Sequence, residues 1–218
     1  MKKALLVWGG WDGHEPKECT QIAAEILEQN GFETQISGFV KSYDNCDKLK
    51  ALDLIVQCIS MGQINEQQEK NLLQAVRNGV GFAGWHGGIT DAFRTNTDYQ
   101  FMIGGQFVYH PLKLIDFKVN ITKPNDPITA GLSDFMMTDT EQYYMHVDPN
   151  NEVLATTTFT GLYDGVDWVK DVVMPAVWKK TYGKGRIFYC SIGHAAKDFD
   201  VPEFKEIMKR GMLWTAGG

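Results

Sequence analysis

Along the first half of the chain, short unbroken apolar runs alternate with longer stretches in which apolar residues recur every three or four positions. Lys3 to Trp8 is the first such run and predicts a buried strand. After a loop from Gly9 to Glu15, Pro16 stands where a first helical turn tolerates it. Cys19, Ile22, Ala23, Ile26 and Leu27 then share one helical face, which Asn30-Gly31 closes. Phe32 to Phe39 predicts a second strand, and Leu54 to Ile59, apolar except for Gln57, a third. Asn65 is a good N-cap with Gln68 in the capping-box position, and Leu72, Leu73 and Val76 carry that helix to Asn78-Gly79. Val80 to Trp85 is a fourth strand, out of which His86-Gly87-Gly88 turns sharply. The alternation predicts the α/β class: an open, mostly parallel, doubly wound sheet of flavodoxin-like type, with right-handed crossovers and helices on both faces.

The second half is less regular and predicts added antiparallel strands. Lys113 to Thr122, Glu152 to Phe159, Val172 to Lys179 and Arg186 to Ile192 are the candidates, with a hairpin turn at Thr181-Tyr-Gly-Lys-Gly185. Pro202 opens a terminal helix whose Phe204, Ile207, Met208 and Met212 share a face. No repeat, linker or low-complexity segment interrupts the 218 residues, so one domain over 1–218 is expected.

The net charge of −6, with no basic block, argues against a nucleic-acid partner. The longest apolar runs are too short to span a bilayer, so no membrane partner is expected. Met1-Lys-Lys-Ala-Leu-Leu-Val resembles the start of a signal peptide, but it breaks at once into Gly9-Gly-Trp-Asp-Gly-His-Glu and reads instead as the first strand. Cys19, Cys46, Cys58 and Cys190 lack CxxC spacing and read as reduced thiols in a cytoplasmic protein. A homo-oligomer is compatible with the sequence.

In open α/β sheets, ligands bind beyond the carboxyl ends of the strands. His14, His86 and His194 each follow a predicted strand at that edge, and imidazole can donate, accept or ligate a metal. Gly84-Trp85-His86-Gly87-Gly88 has the spacing of a nucleophile elbow, with histidine where a nucleophile would stand. The plainer reading is a tight turn held by His86. Gly9-Gly-Trp-Asp-Gly matches neither GxGxxG nor a GK[ST] loop, so a nucleotide cofactor lacks support. Three neutral imidazoles on one edge suit a divalent metal such as zinc, yet HxH and HExxH spacings are missing, and the metal is left open. Glu141 is a candidate carboxylate, and His110 and His146 are further polar candidates. Asp12 and Asp91 are loop-side acids, Asp91 with the alternative of capping a following helix. Among the aromatics, Trp8 and Trp85 read as sheet packing, whereas Trp11, Tyr99 and Tyr144 are candidates to pack against the apolar face of a sugar.

These segments resemble the trehalose-utilisation (ThuA-like) family. The matching stretches are Val7-Trp-Gly-Gly-Trp-Asp-Gly-His14, Gly81-Phe-Ala-Gly-Trp-His-Gly-Gly88 and Gly104-Gly-Gln-Phe-Val-Tyr-His-Pro111. They continue through Asp126-Pro-Ile-Thr-Ala-Gly-Leu132, Thr140-Glu-Gln-Tyr143, Pro175-Ala-Val-Trp178 and Tyr182-Gly-Lys-Gly-Arg-Ile-Phe-Tyr189 to Gly193-His194. The resemblance implies a class I glutamine-amidotransferase-like fold and a role in metabolism of trehalose or related disaccharides through keto-sugar intermediates. Where the family has an aliphatic residue before the elbow histidine, this chain has Trp85, a change expected to reshape the pocket.

Three functions compete. The first is an enzyme acting on a disaccharide or keto-sugar as an isomerase, lyase or hydrolase, with His86 and His194 as acid/base pair and His14 and Glu141 assisting. The substrate would contact Trp11, Asp12, Asp91, Tyr99, His110, Tyr144 and His146. The second is a non-catalytic carbohydrate-binding or regulatory protein, in which the histidines would point away from one another. The third, a glutamine amidotransferase, would need Cys58 or Cys190 at the elbow to form a thioester.

Overall fold

A computed structural model describes residues 1–38, 40–161, 163 and 166–217. The first apolar run becomes β1 (Lys2–Gly10), and the helix begun by Pro16 becomes α1 (Pro16–Gln29). β2 (Phe32–Ser37) stops short of the predicted end at Phe39, a residue outside the described ones. A short helix not foreseen in the sequence, α2 (Cys46–Lys50), precedes β3 (Leu54–Ser60). Asn65 and Gln68 form the expected reciprocal capping box at the start of α3 (Glu66–Arg77), which leads to β4 (Gly81–Trp85). The chain continues through α4 (Gly87–Thr90), α5 (Thr97–Ile103), β5 (Gly105–Tyr109), β6 (Ile115–Ile121), β7 (Phe135–Thr140), β8 (Tyr144–Val147) and β9 (Glu152–Thr158). β10 (Val173–Tyr182) and β11 (Gly185–Cys190) form the predicted hairpin about Gly183, and α6 (Pro202–Thr215) ends the fold.

Among the described residues, nine strands form one sheet in the order β2-β1-β3-β4-β11-β10-β9-β6-β7, and β5 and β8 pair separately. The first five positions are parallel and the rest antiparallel. The inner parallel strands β3, β4 and β11 are buried on both sides because helices cover both faces, whereas the edge strand β2 is largely polar. One core lies beneath α1 and α6, with Leu6, Val56, Phe188 and Phe204; the other holds Ile55, Phe82, Tyr99 and Trp178 on the opposite face. The exception in β3, Gln57, is buried but fully engaged. Its amide donates to the Gly88 carbonyl and to the Tyr99 hydroxyl, and its oxygen accepts from the Tyr43 hydroxyl. It thereby fixes α4 directly after the elbow.

The order β2-β1-β3-β4 reverses chain direction between β1 and β3, the switch point at which flavodoxin-like sheets open a crevice. The carboxyl ends of β1, β3, β4 and β11 all face that edge. Among the described residues, no helix is long and apolar enough to cross a membrane.

Candidate functional site

Four loops meet at the carboxyl edge. The β1 loop carries His14 in a short 3-10 turn (Asp12–His14), His86 directly follows β4, and the loop after β11 carries His194. Backbone conformations there are costly: Glu15, Met61, His86 and Asp139 all have positive φ, between 44° and 54°. Strain of this kind collects where geometry is imposed for function. The elbow is held by His86 N donating to the Cys190 carbonyl at 2.7 Å and by the Tyr189 hydroxyl donating to the His86 carbonyl at 3.2 Å.

Onto this edge the antiparallel half delivers one carboxylate. Glu141 follows β7 and is 7% exposed. Its Oε2 lies 3.0 Å from His86 Nε2, 3.4 Å from His194 Nδ1 and 3.7 Å from His14 Nε2. Its Oε1 lies 3.6 Å from His110 Nε2. Four of the five histidines thus surround one buried carboxylate.

The His86 and His14 rings are also anchored from behind, and His194 is held through its backbone. His86 Nδ1 donates to the Ser191 carbonyl at 2.8 Å, and His14 Nδ1 meets Ser60 Oγ at 2.6 Å. The buried Asp198 carboxylate accepts from His194 N at 2.8 Å and from Thr140 Oγ1 at 2.7 Å, tying the His194 loop to the end of β7. Burial pushes His86 down to about 3, so the ring is unprotonated near neutrality. Burial works to raise the Glu141 carboxyl, but the His14, His194 and His86 imidazoles gathered on it outweigh that and hold the group well below the usual carboxylate range. The centre is therefore a carboxylate among imidazoles.

Several sequence candidates lie elsewhere. Tyr99, on α5, is fully buried in the core, where its hydroxyl accepts from Gln57 and donates to the Ile89 carbonyl, so it is closed to a ligand at this edge. His146 lies on β8, whose alternation turns Met145 inward and His146 out to solvent. Tyr144 faces a separate apolar cleft with Tyr109, Leu112 and Trp168. Asp12 is exposed at the start of the 3-10 turn. Asp91 is buried at the C-terminal end of α4 and pairs with Arg94, so it caps no following helix. Trp11 is half-exposed and stands edge-on to His14, with centroids 4.7 Å apart. Trp85 points away from the site and packs on Phe199, so its substitution reshapes the core under the His194 loop and not the pocket.

Residues absent from the sequence candidates complete the centre. Tyr143 is buried and stacks on His86 with centroids 3.9 Å apart. Ser60 holds the His14 ring and Asp198 the His194 backbone amide, as described. Cys58 and Cys190 are buried below the elbow; burial pushes the Cys190 thiol up to about 12 and Cys58 well above its ordinary value.

A family model described as trehalose utilisation matches residues 3–215. The chain belongs to the ThuA family. The fold is similar to a ThuA-like protein from Bacteroides uniformis (19% identity, TM-score 0.82, covering 98% of this chain and 91% of that one). It is equally similar to one from Parabacteroides merdae (18%, 0.81, 99% and 90%). A cytoplasmic protein from Salmonella typhimurium is more distant (13%, 0.68, 98% and 99%). A search of curated proteins returns no match. In this ThuA chain the motif histidines are those that gather on Glu141.

Proposed function

We propose that this ThuA protein is an enzyme of sugar metabolism, acting on a disaccharide or a keto-sugar derived from one by acid–base chemistry at the Glu141 centre. The observation that carries this reading is the convergence of four imidazoles on one buried carboxylate. Such clusters are expensive to bury and collect where protons are moved. The histidines face one another, which favours the enzyme over a non-catalytic sugar-binding protein. A glutaminase is disfavoured by thiols that are buried and lie below the elbow.

The roles differ from a simple His86–His194 acid/base pair. His86 is unprotonated near neutrality and offers a lone pair, so it serves poorly as an acid. His110, with its side chain one-third exposed, sits at the solvent side of Glu141 and is the group placed to exchange protons with a substrate. Next to it, Tyr109 leads into the apolar cleft, whose volume of about 710 Å³ suits a disaccharide-sized ligand. Tyr109, Tyr144 and Trp168 there offer faces for the apolar side of a sugar ring. We place the reaction in the cytoplasm, where its free thiols stay reduced.

The test is to incubate the purified protein with disaccharides and their keto derivatives and follow each by proton NMR. Selective conversion of a disaccharide or keto-sugar is the expected result. Binding of those sugars without any chemical change would move the chain to the non-catalytic reading.

A further inference from the structure

We infer that His14, His86, His194 and Glu141 are the ligands of a divalent transition-metal ion. Their ligand atoms, one from each residue, all lie within 4.8 Å of one another, and three of the four residues are buried. The inference concerns the same centre as the proposed enzyme. What a metal would add to the sugar reaction rests on that proposal; the binding of the ion does not.

The hydrogen bonds carry the argument. The Ser191 carbonyl can only accept, so His86 Nδ1 bears a proton. Nε2 then presents a lone pair to a carboxylate oxygen 3.0 Å away, and the two repel unless a positive centre joins them. His14 shares the geometry, with Nδ1 on Ser60 Oγ and Nε2 turned to Glu141, and because the hydroxyl can donate or accept, this contact leaves Nε2 able to serve as a ligand atom. His194 Nδ1 is buried toward the same oxygen without a hydrogen-bond partner. One extra proton would satisfy the His86 contact and leave His194 orphaned. A single cation satisfies all four atoms at once.

For His86 and His14 the outward anchors are those metal-binding imidazoles use: the ring nitrogen away from the ion is held by a carbonyl or another polar group, which orients the ring. The spacing also fits. Zinc bonded at about 2.0–2.1 Å to nitrogen and oxygen sets neighbouring ligand atoms roughly 3.3–3.4 Å apart in a tetrahedron. The three separations from Glu141 Oε2, 3.0, 3.4 and 3.7 Å, straddle that value. Three imidazoles with one carboxylate select zinc or a neighbouring first-row ion over magnesium or calcium, which prefer all-oxygen sites. In the proposed reaction such an ion would polarise a sugar carbonyl or hydroxyl as a Lewis acid, with His110 left free to move the proton.

The experiment strips the full-length protein with a chelator, adds cobalt(II), zinc(II) or magnesium(II), and measures bound metal by elemental analysis and the visible ligand-field bands of cobalt. We expect one cobalt or zinc per chain and no retained magnesium. Glu141→Gln and His194→Gln should lose the ion or change the cobalt spectrum. Ser60→Ala, which keeps every ligand, should weaken affinity by about 10–100-fold in protein whose melting shows it folded. His146→Gln, on the solvent face of β8, should bind as the unaltered protein does. Folded protein that takes up no cobalt, or cobalt spectra identical in Glu141→Gln, His194→Gln and the unaltered chain, would overturn the inference. Sugar conversion that persists in chelated, metal-free protein overturns a catalytic metal and leaves the enzyme standing. One bound ion without conversion of any sugar sinks the sugar reading and leaves the metal site standing.

Discussion

Gly87 is the residue on which the approach of the rings depends. A Cβ there would lie 2.7 Å from His14 Cε1 and 2.9 Å from both Ser60 Oγ and the Tyr143 hydroxyl. No side chain fits that space without moving one of the groups that builds the centre. Gly87→Ala should therefore lower stability by about 1–3 kcal/mol, as overpacking does, and reduce turnover as well. Denaturant midpoints and kinetics would check this; ordinary values for both would mean that the rings do not close around Gly87. At this scale the sequence was only partly legible. His14, His86 and His194 could be placed because each follows an apolar strand, a signal that needs no contact information. Tyr143 could not be told from Tyr144, since adjacent residues point to opposite sides and the register of β8 is set by pairing with β5. Gln57 and Ser60 lay within or beside an apolar run, where a polar residue gives no hint of its partners.

Among the elements, the parallel half followed from pattern and caps, because buried strands and amphipathic helices each leave a period in the sequence. β7 left none. Its inward residues are Phe135, Met137 and Thr140, and the period of two fails where Asp139 takes φ of +50° and the pairing with β6 shifts. Such a bulge re-aims the strand end, and here it sets up the backbone that presents Glu141. The same strand end is joined to the His194 loop through Thr140 and Asp198. Asp198→Ala should free the amides of His194 and Ala195, at a cost of about 1–3 kcal/mol for the unsatisfied donors. It should also displace His194 from Glu141, with turnover falling by more than the stability change alone would explain. A crystal structure of that variant with His194 still 3.4 Å from Glu141 would show that the loop is fixed by other means.

For the whole molecule, the site is a product of two unlike halves. The parallel half brings histidines from three separated segments to one edge, as topology requires of strands that all point the same way. The antiparallel half brings Glu141 and His110 to that edge, and Glu141 is the carboxylate the three rings share. This division explains why the fold class and the histidine edge could be read from the sequence while the carboxylate's central place could not. The central claim is that Glu141 makes these histidines act as one unit, and its replacement by the isosteric amide tests that most directly. kcat/KM for the best sugar substrate should be measured for Glu141→Gln beside the unaltered protein, with melting temperatures recorded for both. The account predicts a fall of about 10²–10⁴ with the fold retained, the range expected when an acid–base centre is lost. A folded Glu141→Gln protein with full activity would contradict it.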